Sequence, residues 1–193
     1  MSEGMIIENC APTLAGIKTG NLFSVRSANE ADITDEVRKL NASLRKKGIR
    51  VIPLKTTDDF ALIYIYRPDF LEQDLRDSHA KRILNNFGYL YKTPEGCILH
   101  LIERLKNTEN FPHEIGLFLG YPPADVEGFM KHPCEGVQCC GYWKVYAEPE
   151  KAQMTFRRYR QCTEAYCRMN QQGRTLVELT VNTTKIEKLN DQG

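Results

Sequence analysis

Two short apolar runs constrain the fold of this chain more than any other feature. IRVIPL (49–54) and FALIYIYR (60–67) are dominated by β-branched and aromatic residues, and the polar stretch KTTDD lies between them. Such residues favour β-strands, and a short polar connection between two strands favours an antiparallel hairpin. Upstream, NLFSVR (21–26) has the composition of a third strand.

A helix is predicted between these strands, over residues 34–48. Its apolar residues recur at three- and four-residue spacing, Thr34 or Asp35 can cap its N-terminus, and Gly48 follows a late cluster of cations. These start and stop signals agree with each other. The first third of the chain is therefore predicted to run β-α-β-β.

Helical periodicity dominates the remainder of the chain. It predicts a helical middle over about 68–131 and a long helix over about 149–172, with an alternating aromatic strand at 140–147 between them. The segment 175–181 is predicted to be a short strand or an extended tail, and the polar 186–193 a loose tail. We expect one α+β domain covering the whole chain, in which a small, mainly antiparallel sheet packs against several helices.

Composition narrows the classes of function. The 193 residues are 41% hydrophobic, and no apolar run approaches the roughly 18 residues that span a bilayer. The N-terminus lacks the basic and apolar segments of a secretory signal, so we expect a cytoplasmic protein without membrane attachment. Because 26 Lys and Arg balance 25 Asp and Glu, charge gives no general attraction to nucleic acid, and an anion site must be local.

The segment 112–131 has the shape of a helix-turn-helix motif. Gly120 can end the first helix in the left-handed conformation, and prolines follow to start the second. The second helix carries Asp125 and Glu127, with Lys131 only at its end. Because these carboxylates would repel phosphate, we interpret the motif as a packing corner and do not expect it to bind DNA.

Seven cysteines offer the most reactive chemistry in the sequence. They are Cys10, Cys97, Cys134, Cys139, Cys140, Cys162 and Cys167. An odd number in a chain without an export signal predicts thiols in a reducing compartment. Taken singly, each is better explained as a small buried hydrophobic residue.

Four candidate metal ligands cluster as H-x-C-x4-C-C: His132, Cys134, Cys139 and Cys140. Thiolates and imidazoles bind zinc or the iron of iron-sulfur clusters, so this is the candidate metal site. If Cys139 and Cys140 are both extended, however, their side chains point to opposite faces and at most three ligands remain. A fourth would have to come from a distant cysteine.

Thiol redox or nucleophilic chemistry is the alternative use of these residues. Lys144, His132 or His113 would lower a cysteine pKa if it lay close in space. The vicinal pair Cys139 and Cys140 would form a strained, reducible disulfide. The candidate catalytic residues are Cys10, Cys139, Cys140 and Cys162, with His113 as a partner.

A binding role is the competing hypothesis from a different class. Lys18 and Thr19 would contact a small anionic ligand if residues 10–21 formed a surface loop, although a helix end and a turn explain that segment better. Lys144 and Arg157 are the other candidate anion-binding residues. Under this hypothesis the protein is a non-enzymatic binding or adaptor domain for a small anionic ligand or a protein, with structural cysteines.

Five segments of the chain resemble a bacterial domain-of-unknown-function family, number 3793, found mainly in anaerobic Firmicutes. They are two long motifs, CAPTLAGIKTGNLFS (10–24) and FPHEIGLFLGYPPADVEGF (111–129), and the shorter GYWKVY, FRRYRQCT and LTV. The resemblance covers almost the whole chain and implies a single-domain cytoplasmic protein. It carries no catalytic role to Cys10, His113 or Cys162. Members encoded near flavodoxin or iron-uptake genes imply redox or metal chemistry, with a flavodoxin-like partner, and this makes the cysteine-based function the leading hypothesis.

Overall fold

The computed structural model describes residues 1–26, 30–90, 93–107 and 110–182. Contacts divide the chain into two units. The first, the sheet unit, comprises Met1–Asp69 and the residues from Gln161 onwards, and the second, the helical unit, comprises Phe70–Arg160. A single domain over the whole chain stays a prediction.

A three-stranded antiparallel sheet organises the sheet unit. Its strands are β1 (Gly20–Arg26), β2 (Arg50–Thr56) and β3 (Phe60–Tyr66), and β3 lies in the centre. Phe23 is opposite Ile63 on one side, and Val51 is opposite Ile65 on the other. The register between β2 and β3 shifts after Pro53, which has no N–H to donate to a ladder. The predicted hairpin and the β-α-β-β order are confirmed.

The helices that pack around this sheet include α1 (Glu3–Leu14), α2 (Glu30–Leu44) and α9 (Leu176–Leu179). α1 contacts β1 and α9, and α2 contacts β2. Their shared core contains fully buried aliphatic side chains, among them Ile6, Ile63 and Ile65. Each such side chain stabilises the fold by about 1.5–3 kcal/mol through removal of apolar surface from water.

Two predicted details of the sheet unit are wrong. α2 begins at Glu30, so neither Thr34 nor Asp35 caps it, and the Thr34 hydroxyl donates to the Glu30 carbonyl within the helix. The segment predicted as a strand or tail contains α9. A capping box starts this helix, in which the Thr175 hydroxyl accepts from the Glu178 N–H and the Glu178 carboxylate accepts from the Thr175 N–H. The predicted loose tail 186–193 lies outside the described residues.

The helical unit follows the predicted helical middle. Its elements are α3 (Pro68–Arg76), which begins in the sheet unit, α4 (Ser78–Asn86), α5 (Pro94–Asn107), α6 (Ile115–Phe118), α7 (Pro123–Lys131), β4 (Cys139–Cys140), β5 (Lys144–Val145) and α8 (Pro149–Gln171), which ends in the sheet unit. Together with the sheet, these elements confirm the α+β class. Within the described ranges, every helix is too short or too polar to span a bilayer.

The predicted single late strand is instead a small antiparallel ribbon. The Gly141 N–H donates to the Trp143 carbonyl at 3.0 Å, which turns the chain between β4 and β5. A Cβ at position 141 would lie 2.2 Å from the Phe156 ring, so only glycine fits here. Cys139 pairs with Val145, and Cys140 pairs with Lys144.

Candidate functional site

A pocket of about 190 Å³ lies in the helical unit, between the corner formed by α6 and α7 and the ribbon. Three aromatic side chains line it, those of Tyr121, Phe129 and Trp143, and aliphatic side chains of α6 and α7 complete the apolar wall. His113 and Lys144 line the same pocket. The pocket therefore combines an apolar interior with two basic side chains, a combination typical of small-molecule sites.

Asp125 fixes the wall of the pocket that the ribbon provides. Its carboxylate is 4% exposed and accepts three hydrogen bonds, from Trp143 Nε1 at 2.7 Å, the Tyr146 N–H at 2.8 Å and the Ala147 N–H at 2.9 Å. Asp125 is in the first turn of α7, where a negative charge also suits the helix dipole. One side chain therefore holds both the indole ring and the ribbon backbone against α7.

Close backbone approaches bring the other walls together. A Cβ on Gly116 of α6 would lie 2.8 Å from a Val126 methyl group, and a Cβ on Gly128 of α7 would lie 2.5 Å from the Tyr146 ring. The corner between α6 and α7 has Gly120 in the left-handed conformation, at φ 73°, as the sequence predicts. These glycines permit the approach of elements that larger residues would separate.

The two basic residues of the pocket are both in contact with Phe129. Lys144 Nζ lies 5.4 Å from the centroid of the Phe129 ring and donates to the Pro133 carbonyl at 2.7 Å. The exposed His113 ring meets Phe129 edge to face, with centroids 4.9 Å apart. Burial raises the pKa of Tyr121 to about 12, so its phenol is neutral at neutral pH, and it donates to the Tyr142 carbonyl.

The candidate catalytic residues are divided between the two units. Cys10 is fully buried in the core of the sheet unit, and this burial strongly raises the pKa of its thiol, which disfavours a nucleophilic role. Cys162 is a half-buried residue of the part of α8 that belongs to the sheet unit, whereas Cys139, Cys140 and His113 belong to the helical unit. No single site within either unit holds these residues together.

The candidate metal ligands lie on or near the ribbon. His132, Cys134 and Cys140 are exposed, whereas Cys139 is half-buried and packs against Val145 and its neighbours. Both cysteines belong to β4, and their different burial agrees with side chains that point to opposite faces. Among the residues that the structure describes, no group of three or more His, Cys, Asp and Glu side chains is arranged to hold a metal ion.

The remaining candidate anion-binding residues differ in their exposure to solvent. Lys18 and Thr19 are only 4% and 6% exposed, because the segment is a helix end and a turn rather than a surface loop. Lys18 Nζ donates to the Gly20 carbonyl, and the Thr19 carbonyl accepts from the Arg67 N–H. Arg157 is exposed on α8, and a ligand role for these three residues stays a prediction.

Arg67 is a buried residue whose role the sequence did not reveal. Its guanidinium donates to the carbonyls of Thr13 and Leu14 at 2.7 Å, of Val181 at 2.8 Å and of Lys47 at 3.2 Å. The side chain is 0% exposed, and burial lowers its pKa to about 10, so it stays charged at neutral pH. Arg67 therefore ties together three segments of the sheet unit by satisfying their backbone carbonyls.

Fold and pocket together define a mixed α+β protein with a small aromatic cavity bordered by basic residues. The chain belongs to the family described as protein of unknown function (DUF3793), whose family model matches residues 6–180. This confirms the family that the sequence motifs indicate. A search of curated proteins found no match, and neither did a search of solved structures.

Proposed function

We propose that the helical unit binds a small molecule that has an apolar body and a carboxylate or similar anionic group. The observation that carries this proposal is that one pocket is lined both by three aromatic side chains and by His113 and Lys144. The aromatic walls would contact the apolar body, and the basic side chains would orient the anion. This is the binding hypothesis of the sequence analysis, with Lys144 retained and His113 given a different role.

The volume of the pocket limits the size of the ligand. A cavity of about 150 Å³ holds one benzene molecule in other proteins. At about 190 Å³, the pocket suits a single ring with a short substituent or an aliphatic acid of similar length. It is too small for a nucleotide or a dinucleotide cofactor, whose sites are several times larger.

Charge supports an anionic ligand in preference to a cation. Asp125 lines the pocket, but its carboxylate already accepts three hydrogen bonds from the protein. Lys144 uses one of its three ammonium donors on the Pro133 carbonyl. Its charge, close to an apolar wall and partly screened from water, would attract an anion more strongly than a fully exposed lysine.

Fluorescence of Trp143 provides a direct test, since this is the only tryptophan of the chain and it lines the pocket. We expect benzoate to produce a saturable change in emission at millimolar concentration, corresponding to about −4 kcal/mol. Benzyl alcohol and benzylamine have similar shapes but no negative charge, and each should bind at least about fivefold more weakly. Equal binding of the three probes, or no saturable response to benzoate, hexanoate or phenyl phosphate, would refute the proposal.

A pair of lysine variants provides the matched control. Lys144→Met keeps the apolar part of the side chain and removes the charge, so benzoate should bind about fivefold more weakly while benzyl alcohol is unaffected. Lys151→Met removes an exposed lysine that pairs with Glu148 outside the pocket, and it should leave both affinities unchanged. A similar loss in both variants would indicate a general effect of net charge.

The cysteine-based functions of the sequence analysis receive less support. These are metal handling with zinc or iron and thiol redox chemistry with a flavodoxin-like partner. The candidate metal ligands do not form a group of three in the described residues, and Cys10 is inaccessible. Exposed thiols at Cys134 and Cys140 favour redox chemistry as the second candidate. Under either function, the family resemblance supports a bacterial protein acting in the cytoplasm.

A further inference from the structure

One face of the ribbon carries an exposed thiol and a lysine. Cys139 and Val145 point into a small apolar cluster, so the alternate residues, Cys140 and Lys144, share the opposite face. Tyr146, which directly follows β5, packs against α7. Cys140 is thereby directed away from its neighbour in sequence and towards the segment that follows α7.

Two hydrogen bonds bring that following segment onto the same face. The Tyr146 hydroxyl donates to the His132 carbonyl at 3.0 Å, and Lys144 Nζ donates to the Pro133 carbonyl at 2.7 Å. Cys134 is the next residue, and it is exposed. Cys140 pairs with Lys144 in the ribbon, and the Lys144 side chain reaches the carbonyl directly before Cys134, so both cysteines lie beside the same lysine.

We propose that Cys134 and Cys140 are a dithiol pair that forms a reversible intramolecular disulfide. Of the five residues between them, the first four have no regular secondary structure, and Gly136 at φ 74° turns the chain back on itself. A segment of this kind can adjust by the few ångströms that a disulfide, with Cα atoms about 4.4–6.8 Å apart, requires. Cys139 is excluded from the pair because it faces the apolar cluster.

The oxidant is a low-molecular-weight disulfide, and the reaction is thiol–disulfide exchange. The thiolate of one cysteine attacks a sulfur of the small disulfide, which forms a mixed disulfide and releases one small thiolate. The second cysteine, after losing its proton, attacks the protein sulfur of that mixed disulfide and releases the second small thiolate. The protein pair is oxidised by two electrons, and one small disulfide is reduced to two small thiols.

Redox titration of the full chain tests the pair, and it does not depend on the ligand proposal. The protein would be equilibrated in glutathione buffers of increasing oxidation, alkylated and mapped by mass spectrometry. We expect two of the seven thiols to become protected together, with a peptide link between Cys134 and Cys140 that dithiothreitol reverses. A link through Cys139, or seven alkylated thiols at the most oxidising ratio, would overturn the proposal.

Three serine variants separate pairing from mere exposure. Cys139→Ser should still form the disulfide, since that residue faces the other way. Cys134→Ser and Cys140→Ser should each form no intramolecular bond and instead accumulate a glutathione adduct on the remaining cysteine, because no second thiol resolves it. Circular dichroism would establish that each variant is folded. If Cys134→Ser still formed an intramolecular bond to Cys140, the pairing would be wrong.

Discussion

Replacing Asp125 by asparagine is expected to lower the free energy of unfolding of the helical unit by about 2–3 kcal/mol. One carboxylate oxygen accepts from Tyr146 N–H and Ala147 N–H, and the other accepts from Trp143 Nε1. An asparagine that keeps its oxygen on the two backbone donors turns its NH₂ group towards the indole N–H. Two donors then face each other in a site that is almost completely buried.

The magnitude follows from the number of hydrogen bonds that each substitution removes. A hydrogen bond to a charged group contributes about 1.5–3 kcal/mol, and a buried donor left without an acceptor costs a similar amount. Asparagine loses one of the three bonds. Asp125→Ala loses all three, so its cost should be larger, about 4–6 kcal/mol.

Urea unfolding followed by Trp143 emission measures this effect, because the single tryptophan lies in the helical unit and reports its unfolding separately from the sheet unit. The control is Glu150→Gln, which neutralises an exposed carboxylate in the first turn of α8 and should change stability by less than about 0.5–1 kcal/mol. If Asp125→Asn were no more destabilising than this control, the three hydrogen bonds would not hold the ribbon against α7.

Three further substitutions probe other contacts. Gly128→Ala places a Cβ 2.5 Å from a tyrosine ring and should destabilise by about 1–3 kcal/mol, whereas Gly4→Ala, with only an ordinary contact at 3.6 Å, should be neutral or stabilising in the same thermal unfolding assay. Hydrogen bonds from Lys131 and a histidine lower the pKa of Glu127 below its ordinary 4.5. The ionised Glu127 carboxylate therefore stabilises the fold above pH 4.5, and this contribution is lost as the pH falls. Between about pH 4.5 and 3, the wild type should lose more stability than Glu127→Gln. Equal losses in the two proteins would contradict the prediction. Arg67→Met should lower the free energy of unfolding by about 3 kcal/mol or more in circular dichroism melts, because four backbone carbonyls lose a charged donor. A loss below about 1 kcal/mol would show that water replaces the guanidinium.

Local sequence signals predict the sheet unit well. The hairpin of β2 and β3 has the composition of strands and a short connection, and no tertiary contact is needed to identify it. The early start of α2 is not predicted because Thr34 and Asp35 offer a cap later in the sequence, although Glu30 suits a helix N-terminus and Ile33 extends the buried apolar stripe. α9 was missed although its capping box, Thr175 and Glu178, is readable in the sequence.

The pocket was only partly predictable. His113 and Lys144 are candidates in the sequence because of their chemistry, but the sequence assigns them to different roles. Asp125 appears there only as a charge unfavourable for DNA, since its partners are 18 to 22 residues away and no local pattern connects them. The cysteines cluster in the sequence at the ribbon, yet the alternation of strand residues separates Cys139 from Cys140.

The contacts of Arg67 have a consequence for how the chain is completed during synthesis. Its guanidinium needs the carbonyl of Val181, which is 114 positions later in sequence. At a translation rate of about 5–20 residues per second, the ribosome adds that residue roughly 6–23 s after Arg67. The helical unit is one continuous stretch, so all of its residues are synthesised before the sheet unit receives its last carbonyl. The sheet unit, whose synthesis begins first, is therefore the unit that can finish folding last.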